Sequence, residues 1–349
     1  MKQSAKLIGD NILPHVLPKH QGLFKFGISA FSLAQFNSLN SNARLVIENI
    51  NTASSKVYRL MSNPKLLSNF PKLLELNHLV AKTSLVNVDF STFCGFETLG
   101  FGVQTNEGRA IPIWANCLTY PIKEVGSQNT FVISEIKDFG KTLGFYPRFV
   151  FDRGFWIPDL IKFFLEENIT FYLRIKAGKL LKEVEGRNGI EGKIKSAKTL
   201  GKITKDTQIS LYGQTVRLII SPPPPEKVIK KEGKKAERWY ILTNDLKSLR
   251  EDILKIYYHR FEIEETFKDL KHVFKLKKFF IKKKLSFKIL LAFICLGFWL
   301  SFWCYQLGKL ANITFYTLTH PKKKRSYFKI WWEEIQRSLR VNLKLLDTG

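Results

Sequence analysis

The chain has 349 residues, 45% of them hydrophobic, which is enough for two or three domains with a real core and excludes a largely disordered chain. Its 56 Lys and Arg against 30 Asp and Glu leave a formal charge of +26. That surplus calls for an anionic partner: a nucleic acid first, an acidic membrane surface second, with lysine enrichment from a biased genome as the plain alternative. Cys94, Cys117, Cys295 and Cys304 form no C-x-x-C pair and have no His at ligand spacing. This argues against a zinc site or a disulfide framework and fits a reducing cytoplasm. The N-terminus, MKQSAKLIGDN, lacks the apolar run of a signal peptide.

Residues 1–84 read as a helical domain with few strand signals. Within it, 41–61 suggests two short helices, Ser41 to Ile50 and Ala53 to Met61, with Asn51-Thr52 as the turn and Thr52 as N-cap. Such a pair resembles a helix-turn-helix, in which Lys56 and Arg59 would face phosphates or bases; a plain helical bundle is the other reading. LVNVDFSTF (85–93) is a β-rich run with Asp89 inside it. A carboxylate there is costly to bury unpaired, so it sits at an exposed strand end or has a cation. GFETLGFGVQT and RAIPIWANCLTYP, joined by Asn106-Glu107-Gly108, read as a hairpin.

A helix fits Gln128–Leu143, then RFVFDRGFW ends a strand on Asp152, with Arg153-Gly154 as the exit turn. Ile157–Glu167 reads as a helix with Pro158 in its first turn, and Thr170–Lys176 as a strand. Residues 85–176 thus form the first part of a core, and 177–237 a β-rich insertion with a flexible loop at 222–236. Arg238–Asn244 returns as a strand and opens the second part of the core, 238–307. Asp245 is a further acid, read as a cap or turn residue. Lysines from Lys275 to Lys288, with Phe279, Phe280 and Ile281 between them, read as a basic patch or a solvated loop.

Residues 287–307 are apolar enough to span a bilayer on length alone. Lys288, Ser301 and a glycine inside the run favour a buried core helix instead. The last region, 308–349, carries PKKKR at 321–325 and a Trp-rich helical stretch suited to contact with DNA or a second protomer.

The stretch 249–275 has neither Pro nor Gly and reads as one long amphipathic helix, with Ile256, Ile263, Phe267, Leu270 and Phe274 on its core face. Tyr257, Arg260, Glu264 and Lys271 fall within another arc of about 60° beside that face. A phenol, a guanidinium, a carboxylate and an ammonium on one stripe suit a divalent metal next to a phosphate backbone; a solvated face of ion pairs is the plain reading. The spacing Y-x2-R-x3-E-x6-K resembles the signature of the insertion-sequence-four group of DDE transposases. DRGF and VDFST resemble that family's other two motifs, and the likeness covers about residues 40–300.

The resemblance implies an α/β, RNase H-like catalytic core carrying a β-rich insertion, behind an all-α domain that binds the transposon end. It implies that Asp89, Asp152 and Glu264 are the catalytic acids and together hold two Mg²⁺ or Mn²⁺ ions. Tyr257, Arg260 and Lys271 would grip end DNA. Arg153 and, as a stacking candidate, Trp156 would lie beside them. Three carboxylates without a catalytic His or Cys are the ligands that hard cations prefer. The expected function is cut-and-paste transposition on double-stranded DNA ends and target, by a cytoplasmic, nucleoid-associated homodimer with no membrane partner. A non-catalytic, transposon-derived DNA-binding protein and a membrane-anchored basic protein are the alternatives.

Overall fold

Every β-rich run identified in the sequence becomes a strand in the computed structural model. The structure describes residues 18–33, 49–67, 80–119, 126–183, 194–226, 237–273 and 281–310, with isolated positions between them. In chain order the described helices are α1 (Pro18–Leu33), α2 (Ile50–Ser62), α3 (Gln128–Leu143), α4 (Pro158–Glu166), α5 (Ala197–Ile203), α6 (Arg250–Tyr258), α7 (Phe261–His272) and α8 (Lys284–Leu310). The strands are β1 (Leu85–Phe93), β2 (Phe96–Val103), β3 (Ile111–Leu118), β4 (Arg148–Phe151), β5 (Phe171–Arg174), β6 (Leu180–Glu183), β7 (Ile194–Ser196), β8 (Asp206–Leu211), β9 (Gln214–Ile220) and β10 (Tyr240–Thr243). The class is α/β.

The chain divides into two compact units. The first gathers Met1–Ala81, Phe90–Gly144 and Glu262–Gly349, and the second gathers Lys82–Asp89 and Phe145–Phe261. In the first, β2 and β3 form the expected antiparallel hairpin, with a register shift between Phe101 and Gly102. Helix α3 starts where the Ser127 hydroxyl accepts from Thr130 N–H, and it stops at Gly144, whose φ of +73° suits a residue without a Cβ. Helix α8 buries Phe287, Ile289, Leu290, Phe293, Leu296 and Trp299 and packs on β3, α1 and α2. Its apolar composition therefore reflects burial by protein on several sides. Among the described residues no helix is long and apolar enough to cross a membrane.

Helix α2 differs from its expected start. Asn49, three residues ahead of Thr52, is the N-cap, and its side-chain oxygen accepts from the N–H groups of Asn51 and Thr52. Most of 41–48, Lys275, Lys277, Lys278, and all of 311–349 lie outside the described residues, so the first helix of the expected pair, part of the lysine patch and the Trp-rich segment do too.

In the second unit the strands run in the order β1-β4-β5-β10-β9-β8-β6-β7, with β1, β4 and β5 parallel and the others antiparallel. Alternation along β4 sends side chains to two faces. Phe149 and Phe151, joined by Phe171 of β5, stack on Phe164 of α4. Val150, with Tyr172, Ile219 and Ile241, packs on Ile253 and Tyr257 of α6. The inserted strands β6–β9 continue this sheet through the β9–β10 pairing, and the insertion also contains α5, which the sequence pattern does not signal.

The long helix over 249–275 is a correction. It breaks at His259-Arg260 into α6 and α7. The cause comes from far along the chain. The buried Asn87 side chain donates to the His259 carbonyl (3.1 Å), and Arg260 N–H closes a tighter turn onto the Tyr257 carbonyl. A carbonyl taken by a side chain is lost to the helical ladder, and the turn redirects the chain into α7. Tyr257 and Arg260 therefore do not share a helix with Glu264 and Lys271.

Candidate active site

Parallel pairing of β1 and β4 runs up to the first two acids. The β1–β4 register runs from Leu85 opposite Arg148 to Val88 opposite Phe151. Asp89 follows Val88 within β1, and Asp152 follows Phe151, the last residue of β4. Both stand at the carboxyl end of the parallel pair, where open α/β sheets place their ligands. Asp152 is held by its own loop: its Oδ1 accepts from Gly154 N–H at 2.7 Å, capping the short turn Arg153–Phe155. A Cβ at Gly154 would lie 3.0 Å from that oxygen, so a glycine fits this loop best. Asp89 accepts from Arg260 Nη1 at 3.3 Å, in a pair whose side chains are 19% and 6% exposed. The sequence argument that this carboxylate needs a cation is met by a guanidinium.

Tyr257 lies beneath the same corner. It is 1% exposed, and burial first of all pushes its phenol up to about 12. Arg260 and Arg174 oppose that rise, and Asp152 adds to it, so the field of the second acid reaches the phenol. Arg174 stands beside the Tyr257 hydroxyl. Glu237 draws in both Arg153 (3.2 Å) and Arg174 (3.5 Å). Arg174 was missed by the sequence reading. Its signal is the one Asp152 gives, a charged residue closing an apolar strand. Trp239 packs edge-on to Tyr257, with ring centroids 5.2 Å apart.

Glu264 and Lys271 belong to the first unit, on α7. Glu264 is half-buried. On the same helix Glu262 is buried and accepts from two backbone N–H groups, and Glu265 pairs with Lys268 and Arg109. Lys271 Nζ lies 5.3 Å from the centre of the Phe93 ring. Among the described residues, no group of three or more His, Cys, Asp or Glu side chains is gathered closely enough to hold a metal ion. Within the second unit Asp89 is paired with Arg260, and Asp152 and Arg260 both act on the Tyr257 phenol.

The remaining candidates are individually placed. Lys179 Nζ lies 4.2 Å over the ring of Trp156. Lys56 is exposed on α2, 5.8 Å from the Phe26 ring, and Arg59 is exposed in that helix's last turn. Of the cap-or-turn reading of Asp245 the turn holds: it accepts from Lys247 and Ser248 N–H, the Ser248 hydroxyl and Tyr172, while the N-cap position of α6 is Leu249. Burial alone would raise its carboxyl, and those bonds together hold it below the ordinary value.

Residues 136–300 match the family model described as the transposase DDE domain. Asp152, Arg153, Trp156, Tyr257, Arg260, Glu264 and Lys271 fall inside the match; Asp89, Lys56 and Arg59 lie outside it. No curated protein matches the sequence. Among solved structures, the chain is similar to the piggyBac transposase in its synaptic complex with hairpin DNA, at 11% identity and a TM-score of 0.44. That similarity covers 82% of this chain and 58% of that one, so the chain spans less than two thirds of its relative's length.

Proposed function

We propose that the chain is a DNA transposase of the insertion-sequence-four type, with an RNase H-like core, that cuts and joins the ends of a mobile element. The observation that supports this reading is the parallel β1–β4 pairing up to Val88 opposite Phe151, which Asp89 and Asp152 directly follow in sequence, the second of them inside the transposase DDE match. A three-stranded meander followed by parallel β4 and β5 with a crossover helix is the strand order that such a core requires. Glu264 is the third acid in this reading.

The donor chemistry fits a hard divalent cation, since Asp89 and Asp152 offer carboxylate oxygens just beyond the paired segments of β1 and β4. Asp89, Asp152 and Glu264 are the residues that would hold Mg²⁺ or Mn²⁺, two ions per site. Such ions, when bound, polarise the phosphodiester and acidify the attacking water or 3′-hydroxyl. The chain's own residues supply the rest. Arg153 and Arg174 converge on one carboxylate, that of Glu237, and the same fork suits a phosphate oxygen of end DNA. Tyr257 is a further candidate contact to end DNA in this reading. Arg260, Lys271 and the exposed face of α2 with Lys56 and Arg59 add backbone contacts, and Trp156 is a platform for a base. The charge of +26 suits such a duplex partner. A homodimer bridging two ends is part of the reading.

The test is cleavage of a duplex taken from the DNA flanking the gene, with Mg²⁺, by the wild type, Asp152→Asn and Glu264→Gln. The expected result is retained binding with at least a ~10³-fold loss of nicking in both variants. Undiminished nicking by either would reject its assigned role. A second reading, a non-catalytic DNA-binding protein, is favoured by the ion pair of Asp89 with Arg260. Binding without any metal-dependent nicking would select it.

A further inference from the structure

Two arginines of the second unit share one acid. Arg153 Nη1 lies 3.2 Å and Arg174 Nη2 3.5 Å from the same oxygen, Oε2 of Glu237. The three groups come from three places in the chain, each fixed through its backbone. Arg153 stands in the turn that Asp152 Oδ1 caps at Gly154 N–H. Arg174 ends β5, where it lies opposite Ile241 of β10. Glu237 comes just ahead of β10, next to a firmly bonded stretch. Trp239 N–H donates to the Ser221 hydroxyl at 2.9 Å, Ser221 N–H to the Trp239 carbonyl at 2.9 Å, and Ile175 N–H to the Tyr240 carbonyl at 2.8 Å. The register of β10 against β5 thus delivers the acid to Arg174.

Little of this serves stability. The Arg153 and Glu237 side chains are 51% and 47% exposed, and ion pairs so open to water contribute little. The cluster is also unbalanced, with two guanidiniums on one carboxylate oxygen. A phosphodiester carries the same single charge as a carboxylate but spreads it over two equivalent oxygens. Exchanging Glu237 for a phosphodiester would leave the charge of the cluster unchanged and give each guanidinium an oxygen of its own. We propose that Glu237 is a built-in competitor for DNA phosphate: it holds Arg153 and Arg174 in the free protein and is displaced when a phosphodiester of duplex DNA takes its place. The inference rests on the reading of the chain as a DNA-binding transposase. Contacts to phosphate carry no sequence information. The acid therefore lowers affinity for every duplex by the same factor and holds down idle occupancy of DNA by a chain of charge +26.

The test measures anisotropy of a fluorescent duplex, taken from the DNA flanking the gene, over a series of NaCl concentrations in EDTA, so that no cutting intervenes. The full-length proteins are wild type, Glu237→Gln, Glu237→Ala, Arg153→Ala with Arg174→Ala, the triple variant that adds Glu237→Gln to that pair, and Glu251→Gln, an exposed acid paired with Arg250. Circular dichroism checks folding. Both Glu237 variants should bind about 5-fold tighter than wild type. The double-arginine variant should bind more weakly, with a salt slope shallower by about 2, and the triple variant should match it. Glu251→Gln should stay within about 2-fold of wild type, its charge being screened. Wild-type affinity in both Glu237 variants overturns the competition, as does full-strength binding by the double-arginine variant. A gain from Glu237→Gln that persists without the two arginines, or an equal gain from Glu251→Gln, also overturns it, because the charge then acts at large. Absence of duplex binding by wild type and all variants at low salt overturns the DNA-binding reading and the inference with it; duplex binding indifferent to Glu237 overturns the inference alone.

Discussion

Helices α6 and α7 come from one uninterrupted stretch of sequence, yet opposite means hold them. Helix α6 buries Ile253 and Tyr257 against Val150, Tyr172, Ile219 and Ile241, an apolar and aromatic contact that owes little to direction. Helix α7 adds to Ile263, Phe267 and Leu270 a buried polar stripe, Glu262, Thr266 and Asp269, bonded to the end of the β2–β3 hairpin. Apolar packing sets that an element is buried, while directional bonds set how it is turned. Between them, Asn87 and Asp89 of β1 receive His259 and Arg260, so the break depends on a strand about 170 residues earlier.

The largest expected effect falls at that break. Arg260→Ala leaves Asp89 without its guanidinium and should cost about 4 kcal/mol by urea unfolding; a loss under 1 kcal/mol would mean that the pair is solvent-screened. Ile253→Ala opens a cavity under α6 and should cost about 3 kcal/mol by the same measurement. A cost under about 1 kcal/mol would erase the contrast between the two helices. Asn87→Ala frees the His259 carbonyl and should cost about 2 kcal/mol, with a gain in helical ellipticity as the two helices move toward one; unchanged ellipticity would place the cause of the break elsewhere.

The smallest effect carries a pH signature. Asp245→Ala removes the acceptor that holds the turn ahead of α6 and should cost about 1 kcal/mol at pH 7. The folded carboxyl is held below its ordinary 3.8, so its stabilisation is complete above that value and fades as the pH falls through the lowered folded one. Variant and wild type should therefore converge in strong acid. A gap as wide there as at pH 7 would show that the charge is not responsible.

The sequence carried most of the local structure. β-rich runs located β1 to β5 and β10, Gln128–Leu143 was read as a helix, and the DRGF motif put Asp152 at a strand end. What it missed was held at a distance. No nearby residue announces a helix break at His259, because the group that makes it is Asn87. Thr52 looked like a cap because it matches the preferred residue types, but Asn49 bonds first. Arg174 and the stripe of Glu262, Thr266 and Asp269 were invisible to a search for apolar periodicity, which counts polar residues as surface. Their burial shows only once the hairpin and the sheet are in place.

Arg217 grips Asp206 through Nε and Nη2 and also donates to the Ser248 carbonyl at 2.6 Å. Arg250, at the start of α6, donates to the Ile220 carbonyl at 2.6 Å. The inserted segment is thereby sewn to the helix after it. Excising residues 177–237 would strand Arg250 and the Ser248 carbonyl, and grafting them into a related scaffold would strand Arg217; either would unseat the chain ahead of Tyr257. The workable cassette for such a swap runs from 177 to 258 and has to travel as one piece.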